Sequence, residues 1–269
     1  MKRPYLKIYG GGFRRASWII SHMPKHDAYA AACMGGLSVT LNKPPCKVEV
    51  ATDIDGRVVN AFKVLRDAPE DLISQIRLTP WHQHEYWQSQ FRSDDSLEDA
   101  RRFWCLCWMS IRGGTSWSNG FRWTKNVNGR GRMSHQDGIE LEHLYEIADR
   151  IKNITFLEYD ALKLAKHLSG EGFLLYFDPP YLTETRAVKS GYEKEQDVTF
   201  HIDASNTLLT YDGPVIISGY QSKLYADLYE ANGWNRIDKT FAANSGSSSN
   251  ESIWINYSIS GLQKNIFPV

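Results

Sequence analysis

The sequence predicts an α/β fold, in which one central sheet carries helices on both faces. Three observations predict it: short apolar segments bounded by turn residues, helical spacing in the segments that follow them, and a composition typical of a globular chain. The chain has 269 residues, of which 42% are hydrophobic and 23% are charged. It can therefore bury a full core, and its length fits either one catalytic-size domain with an insertion or two domains.

The first strand and helix of this pattern come early in the chain. Residues 47–52 alternate in polarity, as a strand with one partly polar face does, and the alternation stops at Asp53. Residues 57–65 then place apolar side chains at helical spacing. We expect a strand, an acidic turn and a helix in this order.

The second half of the chain repeats the pattern around a buried strand. Residues 173–177 form a continuous apolar run between a glycine and Asp178, as central strands of a parallel sheet do. Residues 214–218 predict another strand, and residues 221–232 predict the helix that follows it. A last alternating run, residues 252–257, predicts one more strand of the sheet.

Helical signals dominate the middle of the chain. Ser96 with Asp99 predicts a capped start for a helix that runs through Met109. Residues 112–134 are rich in Gly, Asn, Ser, Trp and Arg and show no clear period. A second helix is predicted by apolar residues at helical spacing: Ile139, Leu141, Leu144, Ile147 and Ile151.

The change from alternating strands and helices to mainly helical signals predicts the domain organisation. We expect a main domain of residues 1–66 and 154–269, and a mainly helical insertion of residues 67–153 that acts as a recognition element.

The composition excludes several classes of protein. Four irregularly placed cysteines are too few for a disulfide scaffold or a structural zinc site. No apolar run approaches the roughly 20 residues of a membrane helix, and no apolar signal segment follows the basic N-terminus. We therefore expect a cytoplasmic protein. Its 31 basic and 31 acidic residues give zero net charge, which taken alone argues against a nucleic-acid partner.

The sharpest chemical signal is the tetrapeptide Asp178-Pro179-Pro180-Tyr181, directly after the predicted buried strand. Ligands of α/β sheets bind at the carboxyl ends of strands, which is where this tetrapeptide falls. Two consecutive prolines fix the backbone and leave carbonyl acceptors between a carboxylate and an aromatic ring. Such a set suits a planar amino group. The alternative interpretation is a rigid turn with a capping aspartate.

This tetrapeptide resembles the catalytic motif of DNA amino-methyltransferases, and the order of the surrounding motifs is similar to the Dam-like alpha group of adenine-N6 DNA methyltransferases. The supporting matches, in chain order, are Tyr9-Gly10-Gly11, residues 35–39, residues 41–45, residues 53–56 with Val59-Asn60, Asp160, residues 216–220 and residues 251–256. The resemblance implies the class I methyltransferase fold, a Rossmann-like mixed sheet, with a target-recognition insertion. It also implies a site-specific enzyme of bacterial or phage origin, of the kind found in restriction-modification systems.

The resemblance implies S-adenosylmethionine as the cofactor, and the residue types are compatible with it. Gly35 and Gly36 would let the backbone approach the methionine part closely. Asp53 can accept both ribose hydroxyls, and Asp160 would face the adenine amino group. The full set of predicted cofactor residues is Tyr9, Gly10, Gly11, Gly35, Gly36, Asp53, Asp160 and Asp178. Separately, each has a structural alternative, because glycine pairs are common in turns and Asp caps helices.

The implied mechanism is direct methyl transfer to the exocyclic N6 of adenine. Asp178 and the carbonyl of Pro179 would accept the two N–H bonds, Pro180 keeps the turn rigid, and Tyr181 would stack on the base. Positioning and electrostatics carry such a reaction. Because the nitrogen lies inside duplex DNA, the nucleotide must be flipped out at a cost of a few kcal/mol.

The insertion supplies the predicted DNA surface. Residues 101–132 contain seven basic and no acidic residues, so this window carries +7 and the rest of the chain −7. Clustered charge without counter-charge is the footprint of a nucleic-acid partner. The predicted DNA contacts are Arg112, Trp117, Asn119, Arg122, Trp123, Lys125, Arg130 and Arg132.

The aromatic residues of the same window divide into two groups. Phe103, Trp104 and Trp108 fall on a helix, so we expect them to pack in the core. Trp117, Phe121 and Trp123 fall in a loop-like segment and are better candidates for DNA contact.

No metal site is expected. Cys105 and Cys107 point to different faces of one helix, which favours buried structural thiols over metal ligands. His82 and His84 have no further ligands nearby, so we expect them to be exposed. The expected partner is duplex DNA, with no membrane contact, and the expected oligomeric state is a monomer or a weak dimer.

Two departures from the family pattern keep alternatives open. Gly12 stands where the family usually has Lys, and residues 31–33, Ala-Ala-Cys, stand where it usually has Glu-Pro-Phe. Arg14 or Arg15 could supply the missing positive charge. One alternative is therefore a catalytically impaired DNA-binding relative with a decayed cofactor pocket. Another is a cytosine-N4 methyltransferase, because the same amino-group chemistry serves both bases.

Overall fold

The computed structural model describes residues 1, 3–8, 10–111, 120–123, 140–185, 196–242 and 248–258. Within these ranges seven strands form one sheet in the order β3-β2-β1-β4-β5-β7-β6. The strands are β1 (Ala28–Ala32), β2 (Val48–Asp53), β3 (Ile154–Glu158), β4 (Phe173–Phe177), β5 (Val215–Gly219), β6 (Asn235–Ala242) and β7 (Ser248–Ile255).

The sheet is mixed, as the sequence predicts. Strands β1 to β5 pair in parallel, and β7 runs antiparallel to both β5 and β6. Ala31 of β1 lies opposite Ala51 of β2 on one side and Tyr176 of β4 on the other. Chain order reverses at β1 and β4, and the carboxyl ends of neighbouring parallel strands lie at one edge there, so a cleft is expected beyond this point.

Ten α-helices surround the sheet within the described ranges. They are α1 (Ala16–Ile20), α2 (Ser38–Asn42), α3 (Gly56–Asp67), α4 (Pro69–Leu78), α5 (Gln83–Gln88), α6 (Ser96–Met109), α7 (His143–Ile151), α8 (Ala161–Leu168), α9 (Val198–Leu209) and α10 (Lys223–Leu228). The helix predicted over residues 221–232 is shorter than expected, because α10 gives way to a 3-10 turn over Glu230–Asn232.

Helix α6 spans the predicted residues, but its predicted cap is wrong. The side chain of Asp95 accepts a hydrogen bond from the backbone N–H of Glu98 at 2.8 Å, so Asp95 and not Ser96 is the N-cap. Asp99 points inward instead and lies 3.2 Å from the Arg57 guanidinium. A buried cation at this point accounts for the orientation of Asp99, and the sequence around α6 gives no sign of it.

The two faces of the sheet bury separate clusters, because successive strand residues point in opposite directions. Tyr29 and Ala31 face a cluster built with α3, α4, α6 and α7. Ala30 and Ala32 face a cluster built with α8, α9 and α10. Helices therefore cover both faces, which confirms the predicted α/β class.

Helices α4, α6 and α7 fall within residues 67–153, and all three bury side chains in the first of these clusters. Phe103, Trp104 and Trp108 are buried there, as predicted. The indole N–H of Trp108 donates to the carbonyl of Tyr5 at 2.9 Å, which ties α6 to the N-terminal segment. The predicted division into a catalytic domain and a recognition insertion stays a prediction.

Across the described ranges, no helix has the combined length and apolar character needed to cross a bilayer.

Candidate active site and DNA-facing surface

A cleft opens at the carboxyl ends of β1, β2 and β4, at the reversal of strand order. It is bordered by the glycine segment of residues 10–12, the loop after β1, the end of β2 and the start of α8. Among its lining residues are all the predicted cofactor residues that the structure describes: Gly10, Gly11, Gly35, Gly36, Asp53, Asp160 and Asp178. Tyr9, the remaining one, lies outside the described residues.

The loop after β1 has an unusual backbone that shapes one wall of the cleft. Cys33, Gly35 and Leu37 all have left-handed conformations, with φ of 58°, 44° and 54°. A non-glycine residue there costs on the order of 1 kcal/mol, and such strain is concentrated at functional sites. The backbone N–H of Gly35 donates to Asp53 Oδ2 at 2.9 Å, which fixes the loop against the end of β2.

Asp53 lies at the end of β2 and Asp160 just after the end of the neighbouring strand β3, as the sequence predicts. Asp53 Oδ1 accepts from the N–H of Asp55 at 3.0 Å. Burial raises the pKa of Asp53, and the backbone hydrogen bonds from Asp55 and Gly35 partly offset that effect. Asp160 caps α8, with Oδ1 accepting from the N–H of Lys163 at 2.9 Å, so its second oxygen can bind a ligand.

The charge of the cleft suits a cationic ligand. Four aspartates line it, namely Asp53, Asp55, Asp160 and Asp178, and its described lining includes no Lys or Arg. The backbone at Gly36 also lies close to another segment of the chain, because a Cβ on Gly36 would lie 3.3 Å from the carbonyl oxygen of Leu6. A sulfonium cofactor with a ribose and an adenine fits this set of acceptors and close backbone contacts.

Two exposed side chains at the rim were not singled out by the sequence. Ile54 and Tyr159 line the cleft, and each keeps 44% of its surface exposed. They follow Asp53 and precede Asp160, so an apolar and an aromatic side chain flank the two carboxylates. Such surfaces can pack on a flat ring. Their position beside the two aspartates is the only signal in the sequence that could have found them.

The tetrapeptide of residues 178–181 begins directly after β4. The N–H of Asp178 donates to the carbonyl of Ala32 at 3.2 Å, which joins the ends of β4 and β1. Asp178 Oδ1 accepts a short hydrogen bond from the hydroxyl of Ser218, and this hydroxyl also lies 3.2 Å from that of Tyr176. Asp178 and Pro180 line the cleft, whereas Pro179 is buried.

Tyr181 is buried, with 6% of its surface exposed. Its hydroxyl accepts a hydrogen bond from Arg15 Nη1 at 2.6 Å, and its ring packs edge-on against Tyr220 with centroids 4.9 Å apart. Burial raises the pKa of Tyr181 well above its usual range, so its hydroxyl stays protonated. The ring is therefore covered in this structure, although the sequence assigns it to stacking on a base.

The two departures from the family pattern both lie at the cleft. Gly12, Ala31 and Cys33 are among its lining residues. Burial raises the pKa of the Cys33 thiol well above its usual range, and the nearby Asp53 and Asp178 carboxylates raise it further. The thiol therefore stays neutral and supplies no negative charge in place of the missing glutamate.

The predicted DNA-facing surface begins where the chain leaves α6 and turns back on itself. The N–H of Ile111 donates to the carbonyl of Gly120 at 2.9 Å, and Ser110 pairs with Phe121 in an antiparallel bridge. Arg122 and Trp123 follow on the returning segment. The other predicted DNA contacts lie outside the described residues: Arg112, Trp117, Asn119, Lys125, Arg130 and Arg132.

Arg122 and Trp123 differ in how they are presented. The Arg122 guanidinium donates to the carbonyls of Ser110 and Ile111, both at 3.1 Å, so it also holds the turn together. Burial lowers the pKa of Arg122. Trp123 keeps 61% of its surface exposed, and Ile111, on the outgoing segment, keeps 57%.

Two expectations for the basic window are wrong. Arg101 and Arg102 are not free of counter-charge, because Glu98 from the preceding turn pairs with both, at 2.6 and 2.7 Å, and Glu85 also pairs with Arg101 at 2.9 Å. The acidic partners precede the window in sequence, so a count within the window misses them. The other five basic residues of the window are Arg112, Arg122, Lys125, Arg130 and Arg132.

The second of these expectations is that Phe121 lies in a loop and is available to DNA. Its ring is instead half-buried and packs on the core. Its ring lies 5.8 Å from that of Tyr86. The packing of Phe121 against the core turns its ring inward, a direction that no period in the sequence indicated.

Lys7 is a basic residue near this surface that sequence reasoning did not single out. Burial, with a smaller contribution from the charge of Arg122, lowers the pKa of Lys7 to about 8. An anion bound beside these two cations would relieve their mutual repulsion. The basic N-terminus was the only signal in the sequence.

The described part of the chain has no group of three or more His, Cys, Asp or Glu residues placed to hold a metal. Two expectations about the placement of reactive side chains are confirmed. Cys105 and Cys107 are buried free thiols, and burial raises the pKa of both. His82 and His84 are exposed.

Comparison with known proteins agrees with this geometry. The family model described as D12 class N6 adenine-specific DNA methyltransferase matches residues 9–243. The chain is also 26% identical over 272 residues to the Type II methyltransferase M1.LlaDCHI of Lactococcus lactis subsp. cremoris, covering 92% of this chain and 91% of that protein. The resemblance read from the sequence is thereby confirmed. The chain belongs to the D12 class of N6 adenine-specific DNA methyltransferases, enzymes that transfer a methyl group to the N6 amino group of adenine in DNA.

Proposed function

We propose that the methyl donor is S-adenosylmethionine and that the cleft at the ends of β1, β2 and β4 binds it. The observation that carries this proposal is the convergence of the glycine segments and of Asp53, Asp160 and Asp178 on one cleft. These residues are far apart in sequence, and they meet at the reversal of strand order, which is where α/β sheets bind ligands.

Each wall of the cleft has a role in this proposal. Asp53 accepts the ribose hydroxyls, Asp160 accepts from the adenine amino group through its second oxygen, and Ile54 and Tyr159 pack on the adenine ring. The loop of residues 33–37 brings its backbone close to the methionine part. When bound, the cofactor supplies an electrophilic methyl group on a positively charged sulfur, which the four aspartates of the cleft favour electrostatically.

The tetrapeptide holds the adenine. Asp178 and the carbonyl of Pro179 accept the two N–H bonds of N6, which orients the nitrogen lone pair toward the methyl group. Ser218 keeps Asp178 Oδ1 engaged, so the other carboxylate oxygen points to the base. The bound cofactor would give its methyl group to N6 with loss of the C–S bond, and Asp178 or water would accept the proton that the amino nitrogen releases.

Tyr181 stacks on the flipped base in this proposal. Because its ring is buried in this structure, the packing around the ring has to change when DNA binds. One face of the ring has to be uncovered when DNA binds, while the hydroxyl keeps its contact with Arg15. Tyr220, whose ring packs edge-on against that of Tyr181, is the side chain that has to make room.

The substrate proposed is duplex DNA with the target adenine flipped out. The surface around Arg122, Trp123 and Lys7, together with the arginine-rich residues 124–132, contacts phosphates and base edges. Because a Type II methyltransferase is similar to this chain along most of its length, we further propose a site-specific enzyme of a restriction-modification system, acting as a monomer or a weak dimer.

One experiment tests the reaction and its base. The protein is incubated with S-adenosylmethionine labelled in the methyl group and with mixed-sequence duplex DNA. One sample of the DNA is then digested to nucleosides to identify the labelled base, and a second, intact sample is sequenced by a method that detects methylated bases. We expect N6-methyladenine in a fixed sequence context. Label on cytosine N4 would favour the cytosine alternative. No transfer together with no cofactor binding would favour the decayed relative.

A further inference from the structure

Arg15 is the most heavily engaged cation of the described residues around the cleft. It lies at the N-terminal end of α1, and its side chain is 8% exposed. Nη1 donates to Tyr181 at 2.6 Å and lies 2.5 Å from Glu251 Oε2, while Nη2 donates to the carbonyl of Gly10. One guanidinium therefore contacts three segments of the chain.

The three partners belong to different parts of the site. Gly10 borders the cofactor cleft, Tyr181 ends the tetrapeptide that faces the base, and Glu251 lies on β7. An ion pair that only stabilised the fold would need Glu251 alone. Burial would lower the pKa of Arg15, but Tyr181, Asp178 and Glu251 together raise it well above its usual range, so the group stays charged.

Gly12 makes room for this arrangement. An ideal Cβ on Gly12 would lie 3.5 Å from Arg15 Nη2 and 3.7 Å from Arg15 Nε. These are ordinary contact distances, so the first atom of a side chain would fit, but a longer side chain would start against the guanidinium. The backbone N–H of Arg15 also donates to the carbonyl of Gly12 at 2.9 Å, which folds residues 10–15 into one turn.

We propose that Arg15 is a positioning residue that couples the cofactor cleft to the base site through Gly10 and Tyr181, and that Gly12 is the partner that leaves space for its guanidinium. The positive charge at this point is supplied from residue 15 rather than from residue 12. The inference rests on the proposed roles of the cleft and of Tyr181. It assigns the sequence departure at Gly12 to an exchange of positions and not to decay.

The first test separates positioning from folding. Arg15→Lys keeps the charge but loses the planar fork that serves three acceptors. We expect the single-turnover rate of methyl transfer at saturating cofactor and DNA to fall about 10- to 100-fold, and cofactor affinity by calorimetry to fall about 3- to 10-fold. DNA affinity should change less than about twofold, because Arg15 is buried. Arg66→Lys, in the last turn of α3, where Arg66 pairs with Asp67, is the matched control and should leave all three values unchanged.

The second test asks whether Arg15 acts through Tyr181. Tyr181→Phe removes the oxygen to which Arg15 donates. In that background, Arg15→Lys should lower the rate less than about threefold further, because the coupling is already lost. Equal effects of Arg15→Lys in both backgrounds would overturn the proposal.

The third test exchanges the two positions and holds even if Arg15→Lys fails to fold. Gly12→Lys and Arg15→Ala are each expected to lower the transfer rate at least about 10-fold. The double variant should recover to within about threefold of the parent rate, because the new lysine fills the vacated space. A double variant no better than the worse single variant would contradict the proposal.

The failure of the proposed function would look different from the failure of this inference. A parent protein that binds S-adenosylmethionine but methylates no adenine contradicts the proposed reaction, and cofactor affinity then decides the role of Arg15. An active parent whose rate and cofactor affinity are both insensitive to Arg15→Lys contradicts the inference alone.

Discussion

Two arginines, Arg15 beside the cleft and Arg122 at the predicted DNA-facing surface, show how differently these two regions are built. Arg15 is buried and contacts residues up to 236 positions away in the chain. Arg122 binds the carbonyls of Ser110 and Ile111, about a dozen residues away, and lies beside the exposed Trp123. The Arg15 side chain joins segments that are distant in the chain, whereas the Arg122 side chain holds the turn to which it belongs.

This difference separates two kinds of consequence. A change in the cleft disturbs atoms that the sheet holds in register, so it should alter the rate of transfer more than DNA affinity. A change at the surface removes charge that water and salt already screen, so it should alter affinity and its salt dependence more than the rate.

Removing the carboxylate of Asp178 is the largest expected effect. Asp178→Ala deletes the acceptor that orients the amino nitrogen, and the single-turnover rate should fall at least about 1000-fold. DNA affinity should stay within about twofold of the parent value. Asp227→Ala, at an exposed aspartate of α10, is the control. A variant at Asp178 that keeps the parent rate would exclude its proposed role.

Charge reversal on the surface comes next and should show the opposite pattern. Lys125→Glu with Arg130→Glu should weaken DNA binding about 10- to 100-fold at low salt and lower the salt slope by about 2. Arg122 is left intact because its guanidinium also holds the turn at Ser110. The rate at saturating DNA should be preserved.

A matched pair of reversals at the opposite edge of the sheet controls for total charge. Lys47→Glu with Lys152→Glu changes the same charge near the amino ends of β2 and β3, where both lysines are largely exposed. The variant with Lys47→Glu and Lys152→Glu should bind DNA about 10-fold more tightly than the variant with Lys125→Glu and Arg130→Glu. Equal losses for both pairs would mean that affinity follows net charge and not the predicted surface.

Ser218→Ala should have a smaller effect, confined to the cleft. Ser218 is 2% exposed and donates to Asp178 Oδ1. Its loss leaves the carboxylate less well oriented, and the transfer rate should fall about 10-fold with DNA affinity unchanged. Ser205→Ala on α9, which removes another buried hydroxyl, should leave the rate as it is. A Ser218 variant that changes only stability would contradict the positioning of Asp178.

The smallest effect expected is a pH dependence at the surface. The pKa of Lys7 is lowered to about 8, so Lys7 loses its charge as pH rises through that value. A phosphate beside Lys7 favours the charged form, and DNA affinity should therefore fall a few-fold between about pH 7 and pH 9. Lys7→Met should flatten that dependence, whereas Lys47→Met should not. An unchanged profile in Lys7→Met would remove Lys7 from the surface.

The sequence predicted the parts of the fold that local pattern controls. The apolar run of residues 173–177 and the alternation of residues 47–52 gave β4 and β2 within a residue or two. It also predicted which residues face the cleft, because Asp53, Asp160 and Asp178 end or follow strands whose carboxyl ends share an edge.

The features of the site that the sequence did not predict depend on contacts between residues that are distant in the chain. No local pattern pairs Arg15 with Glu251, or shows that Glu85 neutralises Arg101. The left-handed backbone of Cys33 and Leu37 is imposed by the surrounding contacts against their own preference. Ile54 and Tyr159 became candidates only once their exposure at the rim was known.

Cofactor binding tests most directly whether the cleft is intact despite Gly12 and Ala31. Calorimetric titration of the parent protein with S-adenosylmethionine should give saturable one-to-one binding with a Kd in the micromolar range, about 1 to 100 µM. Asp53→Asn should weaken it about 10-fold or more, since one ribose acceptor and one negative charge are lost. A folded parent protein that binds no S-adenosylmethionine up to about 1 mM would contradict the account.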